Sequence, residues 1–343
     1  MVSPVSSITV RSALPGLDGR RLVRLMTAAI ERCELDLSGR VVLTEAATGA
    51  YAVTAVLAAL AGAQVCALAA ATRYATPQEL AAGTAELARL AGVADQIELI
   101  PAKTPEVAGA ADIVTNSGQV RPIDAAMVGQ LKPSAVIPLM YESWEYRGAD
   151  VDLEACRRRG IPVAGTNETH PAVDVFSFLG PMAAKQLHDA GVAVYGSHIV
   201  LLCDNPFAPF IANYLRGGGA RVVQAAELGA EALAGPPDAV LLALRPAAEP
   251  VLGATTVTAL GELAPGTVLV QYWGDADRAA AAAAGVPVWP PEAPPPGHMG
   301  VLPSAVGPEP IVRLQAGGLK VGEVLARGLD QACAADLAFA QIL

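Results

Sequence analysis

Of the four histidines in the 343-residue chain, two stand where a side chain can move protons, since imidazole alone titrates near neutrality without a large shift. His170 precedes a proline in TNETHP, and His298 lies in the glycine-flanked loop GHMG, where a ring reaches a cleft at little steric cost. His188 falls in a helical run and His198 opens an apolar one, which suits structural roles. Glu142, Glu145 and Glu168 can orient a histidine or act as bases. The expected catalytic group is His298, His170 and Glu168. Arg121, Tyr141, Glu142, Glu145, Asn167 and Lys185 are the expected substrate contacts, with Lys185 suited to a carboxylate. Each has a plainer reading: Asn116, Ser117 and Gly118 make an ordinary turn, Tyr141 packs, Glu168 or Thr169 caps a helix, and His170 shapes a linker.

A second constellation is VVLTEAATGAYAV, Val41 to Val53, which reads as strand, tight turn and helix. A nucleotide-binding turn of this kind uses glycines for the bend, for closeness to a pyrophosphate and for helix packing. Here Gly49 supplies one permissive position among small alanines, and the free N–H groups of the helix start can receive an anion. Thr48, Gly49, Ala50 and Tyr51 are therefore expected to hold a cofactor. After the next strand, ALAAATRYAT lacks the carboxylate that grips ribose hydroxyls and offers Thr72 and Arg73 instead. An arginine there pairs with a 2′-phosphate, so NADP(H) is expected over NAD(H), with Asn116 and Ser117 completing the cofactor set. S-adenosylmethionine is the alternative ligand, since looser turns suit it.

These residues need strands to position them. Short apolar runs alternate with helical stretches at Val41, Gln64, Gln96, Asp112, Ala135 and Ile161, and again at His198, Ala220, Ala239, Thr267 and Val286. That alternation predicts α/β architecture: two tandem doubly wound parallel-sheet Rossmann-like domains joined by a helical bridge over 172–190. The expected division is 1–170, a nucleotide-binding domain with an N-terminal helix, and 171–343, a second domain with a bracing helix from about Leu319 to Ile342. The polar residues after the fourth, fifth and sixth strands then share one crevice at the carboxyl edge, facing the second domain.

Composition narrows the classes. A net charge of −10 argues against nucleic-acid binding, which needs a basic face. The hydrophobic fraction of 53% is largely alanine, and no run reaches the ~18 apolar residues of a membrane span. The first residues, MVSPVSSITVRSALPG, lack a secretory pattern, so a cytoplasmic protein is expected. Five scattered cysteines show no metal-ligand spacing, and no metal is expected. A homodimer is left open.

The run LKPSAVIPLMYESWEYRGADVDLEACRRRGIPVAGTNETHPAVD, with ELAPGTVLVQYWGDAD and PPGHMG after it, resembles the D-2-hydroxyacid dehydrogenase superfamily, of formate or glycerate dehydrogenase type, as a divergent member. The resemblance implies a two-lobed dehydrogenase-like architecture. In that superfamily the second domain binds NAD through GxGxxG; here the corresponding turn is CDNPFAPF, without glycine, and Trp273 stands at the catalytic arginine position. The expected function is an NADP(H)-dependent oxidoreductase holding its cofactor on the first lobe and acting on a small polar substrate in the cleft. The alternatives are an S-adenosylmethionine-dependent transferase and a ligand-binding protein without redox chemistry.

Overall fold

Apolar periodicity becomes packing first in α1 (Gly19–Cys33), where Leu22, Met26, Ala29 and Cys33 form the buried face. The computed structural model describes residues 14–72, 75–229, 232–233 and 235–343. Of the segment 1–16 on which the leader expectation rests, residues 1–13 lie outside the described residues, as does Arg73 with its phosphate-pairing role. Two compact units form, one from residues up to Val175 together with Gly307–Leu343, the other from Phe176–Val306.

In the first unit, β1 (Val41–Glu45), α2 (Val53–Leu60), β2 (Gln64–Leu68), α3 (Pro77–Ala91), β3 (Ile97–Ile100), α4 (Pro105–Ala110), β4 (Ile113–Val114), α5 (Ala125–Gln130), β5 (Ile137–Pro138), α6 (Leu153–Arg159) and β6 (Val163–Thr166) alternate along the chain. The strands run β3-β2-β1-β4, and a parallel bridge from Ile113 to Val136 carries the order on to β5 and β6. Order reverses between β1 and β4, so the crevice that a doubly wound sheet offers a ligand lies beyond Glu45 and Val114. Side chains leave a strand to alternate faces: Val42 enters one core and Leu43 the other.

The second unit repeats the pattern with five strands. It comprises α7 (Leu179–Asp189), β7 (His198–Leu202), α8 (Ala208–Gly217), β8 (Arg221–Ala225), β9 (Ala239–Ala243), α9 (Ala254–Leu263), β10 (Val268–Trp273), α10 (Arg278–Ala283) and β11 (Val288–Trp289). The order is β11-β10-β9-β7-β8, all parallel.

The chain then returns to the first unit through α11 (Glu309–Arg327), α12 (Ala334–Leu337) and β12 (Ala340–Ile342). The division at 170 with everything later in one domain differs from this partition. The brace is also shorter than a helix to Ile342: it ends before Gly328, at φ 99°, and the last residues pair antiparallel with β6. Close approach decides where α11 belongs. A side chain added at Gly322 would meet Ile113 and Pro138, and one at Gly318 would meet Met140. Helical period alone announces an apolar face, not the sheet it covers.

Candidate functional site

The carboxyl end of β1 passes through Ala46–Thr48 into a 3-10 turn, Gly49–Ala52, and then α2. Ala46 N–H reaches Leu68 O at 2.9 Å. The buried Thr84 hydroxyl on α3 accepts from Ala47 N–H at 3.1 Å and donates to Ala47 O at 3.2 Å. Val53 through Ala59 are all buried, which is why small residues crowd this segment. Gly49 has φ 61°, and nothing lies within 4 Å of a side chain added there. The N–H groups of Thr48, Gly49 and Ala50 have no acceptor among the described residues. Thr84→Val, equal in shape but without the hydroxyl, leaves two backbone groups of the turn unpaired; we expect a loss of about 1–3 kcal/mol in denaturant unfolding.

Across the order reversal, Asn116 Oδ1 accepts from Met140 N–H at 2.8 Å, joining the ends of β4 and β5. Its Nδ2 and the Ser117 Oγ, both buried, have no partner among the described residues. Buried donors are ordinarily satisfied, so two orphans at the carboxyl edge are groups a polar ligand can satisfy. The sequence reading missed Glu45. Its carboxylate lies so close to Gly118, at φ 34°, that any side chain there would overlap it. It accepts from Gln119 N–H at 3.3 Å, while Gln119 Oε1 accepts from Ala70 N–H at 2.7 Å. The ends of β1, β4 and β2 are thereby tied together. The available signal was position: Glu45 stands where a phosphate-binding turn carries its first glycine. Thr72 Oγ1 accepts from Ala75 N–H at 3.0 Å and shapes its own turn.

Beyond β5 and β6, three carboxyl groups gather. Glu142 Oε1 accepts from Glu168 N–H at 3.1 Å, and its Oε2 accepts from the Trp144 indole. Burial, with Glu145 and Glu142 adding repulsion, pushes the Glu168 carboxyl well above the usual range. Glu145 keeps a partly exposed edge, yet desolvation first and the Glu142 charge after it push its carboxyl up to about 7. Among the described residues no three acidic, histidine or cysteine side chains are disposed to hold a metal ion.

The neighbouring polar residues divide between this cluster and the scaffold. Tyr141 donates to Asp150 Oδ2 at 2.9 Å, and Arg121 Nη1 lies 3.2 Å from the same oxygen; burial and that carboxylate hold the phenol protonated. Asn167 donates from Nδ2 to Ala338 O at 2.9 Å and accepts from Thr169, fastening the C-terminal segment. The His170 ring lies 3.8 Å from that of Phe339, its Nδ1 accepts from Ala172 N–H at 3.2 Å, and burial lowers its pKa.

His298 and Lys185 lie in the second unit. His298 is exposed, its Nδ1 3.1 Å from Pro296 O, and Lys185 pairs with Asp189 on the surface of α7. The turn after β7 is closed upon itself. Asn205 Nδ2 donates to Ala243 O at 2.7 Å, Asp204 Oδ1 accepts from Arg245 N–H at 3.0 Å, and Phe207 is buried against Trp273 and Phe176.

The first unit therefore combines free backbone donors and two orphaned side-chain donors at its order reversal, which fit an anionic or polar ligand, with carboxyl groups suited to hold a proton near neutrality. No protein-family model matches the chain, and no curated protein does. Among solved structures it is similar to a dipicolinate synthase chain from Bacillus halodurans, 11% identical, covering 87% of this chain and 100% of that one at a TM-score of 0.51. It is similar also to the corresponding dipicolinate synthase chain from Bacillus subtilis, 10% identical, covering 87% and 98% at 0.52. A D-lactate dehydrogenase from Treponema pallidum matches at 14% identity over 70% and 91%, with a TM-score of 0.47. At such identities the likeness to the two dipicolinate synthase chains is one of fold alone, in keeping with the two α/β units described above.

Proposed function

We propose that the protein is an oxidoreductase that binds a nicotinamide dinucleotide on its first unit, at the β1 turn, and acts on a small polar substrate. The observation that carries this reading is the set of donors left without acceptors around the order reversal: the N–H groups of Thr48, Gly49 and Ala50, with Asn116 Nδ2 and Ser117 Oγ opposite. Anions settle at such helix starts because the donors converge and the backbone dipoles favour negative charge. The closed turn after β7 supports the choice of unit, since its side chains already occupy the end of β9.

A bound nicotinamide would supply hydride transfer. The chain's own part is to hold and deliver the accompanying proton. Glu145, at about 7, is matched to that task, because acid–base efficiency is greatest when the pKa lies near the working pH. Glu142 positions Glu168 through its backbone, and burial with its two acidic neighbours favours the neutral form of the Glu168 carboxyl. The preference for NADP(H) over NAD(H) rests on Arg73 and belongs to this proposal.

Titration with NADPH, followed by nicotinamide fluorescence, tests the reading; no binding at about 1 mM would defeat it, since the implied affinity is then below ~4 kcal/mol. Gly49→Val is the matched variant. It adds bulk on the open side of the turn and forces a β-branched residue to φ 61°, at a cost of about 1–2 kcal/mol. We expect cofactor affinity to fall at least about tenfold, equivalent to ~1.4 kcal/mol, in a protein that still melts cooperatively. Unchanged affinity in that protein would place the nucleotide elsewhere.

A further inference from the structure

The carboxylate of Glu45 stands at the crevice where the proposed ligand carries its negative charge. It is the residue immediately before the Ala46–Thr48 turn, and its oxygens rest on Gly118 across the order reversal. Among the described residues one hydrogen bond, from Gln119 N–H at 3.3 Å, supports it. Few charges face it among the described residues. The strands β2 and β4 and the helix α2 bring none, apart from the neutral thiol of Cys66; α4 brings Glu106, exposed to solvent. Arg121, following the turn Gly118–Val120, is already paired with Asp150. Lys103 spends its amine on Val120 O and Pro122 O, at 2.7 and 3.2 Å. Among the described residues, then, no unpaired cation faces an ionised Glu45 beside a phosphate, and Arg121 acts on it only through a charge already shared with Asp150.

From this geometry we propose that the first unit takes its anionic nucleotide together with one proton, which resides on Glu45. The inference rests on the reading of the β1 turn as the nucleotide site. Like charges a few ångströms apart disfavour joint ionisation, so the ligand's phosphates hold the proton on the carboxyl. A protonated Glu45 also becomes a donor, as an acid needs to be when it faces phosphate oxygens. The free protein is already inclined the same way: burial pushes the carboxyl up, opposed only in part by the Gln119 hydrogen bond and the Arg121 charge. Glu45 thus acts as a gate on ligand charge, favouring binding at lower pH.

The test is NADPH titration of the wild-type protein and Glu45→Gln across a pH series. Wild-type affinity is expected to fall by about tenfold per pH unit above the carboxyl's pKa in the free protein, as linkage of one proton requires. Glu45→Gln, which presents a neutral donor at every pH, is expected to lack that component and to bind more tightly than wild type at the alkaline end. The 2′-phosphate of the probe titrates alike in both proteins, so the difference between profiles isolates Glu45. If the variant fails to fold, calorimetry of the wild type in two buffers of different ionisation enthalpy still reads proton uptake directly. Parallel profiles, or binding without net uptake of a proton beyond the probe's own, would overturn the proton-coupled mode while leaving the site intact. Absence of NADPH binding by both proteins at every pH would overturn the site, and this mode with it.

Discussion

Gly165→Val is expected to destabilise the first unit by about 3 kcal/mol or more, lowering its melting temperature by several degrees. Gly165 lies in β6, which is buried along its length. A side chain there would strike backbone: the Ser143 N, its Cα at 2.7 Å, and the Glu142 carbonyl carbon at 3.0 Å. Those atoms cannot move aside cheaply. Gln341 Oε1 accepts from both the N–H and the hydroxyl of Ser143, at 2.8 and 2.9 Å, and Gln341 is itself in β12, paired with Gly165. Intrinsic preference runs the other way, since β-branched residues favour strands and glycine weakens them. Denaturant unfolding decides between the two: a gain in stability for Gly165→Val would show that the turn carrying Glu142 and Glu145 is free to shift. The expected displacement would also move Glu145 away from Glu168 and return its titration toward the ordinary carboxylate range.

Gly165 illustrates what sequence discloses and what it does not. The alternation of strand and helix was legible because each strand is an apolar run bounded by small turn residues. In a parallel sheet chain direction alone places every strand's end at one edge, so Asn116, Tyr141 and Glu168 could be assigned there from order. Partners distant in sequence were not legible. Asn167 and His170 have the composition of site residues, yet one fastens Ala338 O and the other stacks on Phe339, contacts made only because β12 returns to β6. The short AQI segment continues an apolar helical run and carries no local strand signal; its partner strand decides it. Glu45 was passed over for a related reason. In the turn it registers as a missing glycine, and its position in the crevice becomes apparent only when Gly118 is brought beside it.

The second large effect is on pH. The first unit is expected to lose about 3 kcal/mol of stability through Glu145 as pH rises from about 4.5 to about 7, with a further loss through Glu168 above that. Glu145, raised by burial and by the Glu142 charge from 4.5 to about 7, supplies the window, and Glu168, displaced in the same direction by burial and its two neighbours, extends it upward. The sign follows from proton counting. Below the unfolded value both states are protonated and the folded state bears no penalty. Between the two values the unfolded chain has released its proton while the folded protein retains it, so each increase in pH favours unfolding. Once pH exceeds the folded value the buried carboxylates are ionised and the loss is complete. Glu168→Gln keeps the shape of the side chain, carries no charge and leaves untouched the backbone N–H that Glu142 accepts. It is expected to be more stable than wild type at about pH 8 and to show a shallower decline, with little difference at about pH 4.5, where the carboxyl is already neutral. Unfolding curves at the two pH values read both quantities. Wild-type stability that climbs across this range, or a variant weakened equally at both ends, would mean that the cluster is ionised in the folded protein and cannot be its store of protons near neutrality.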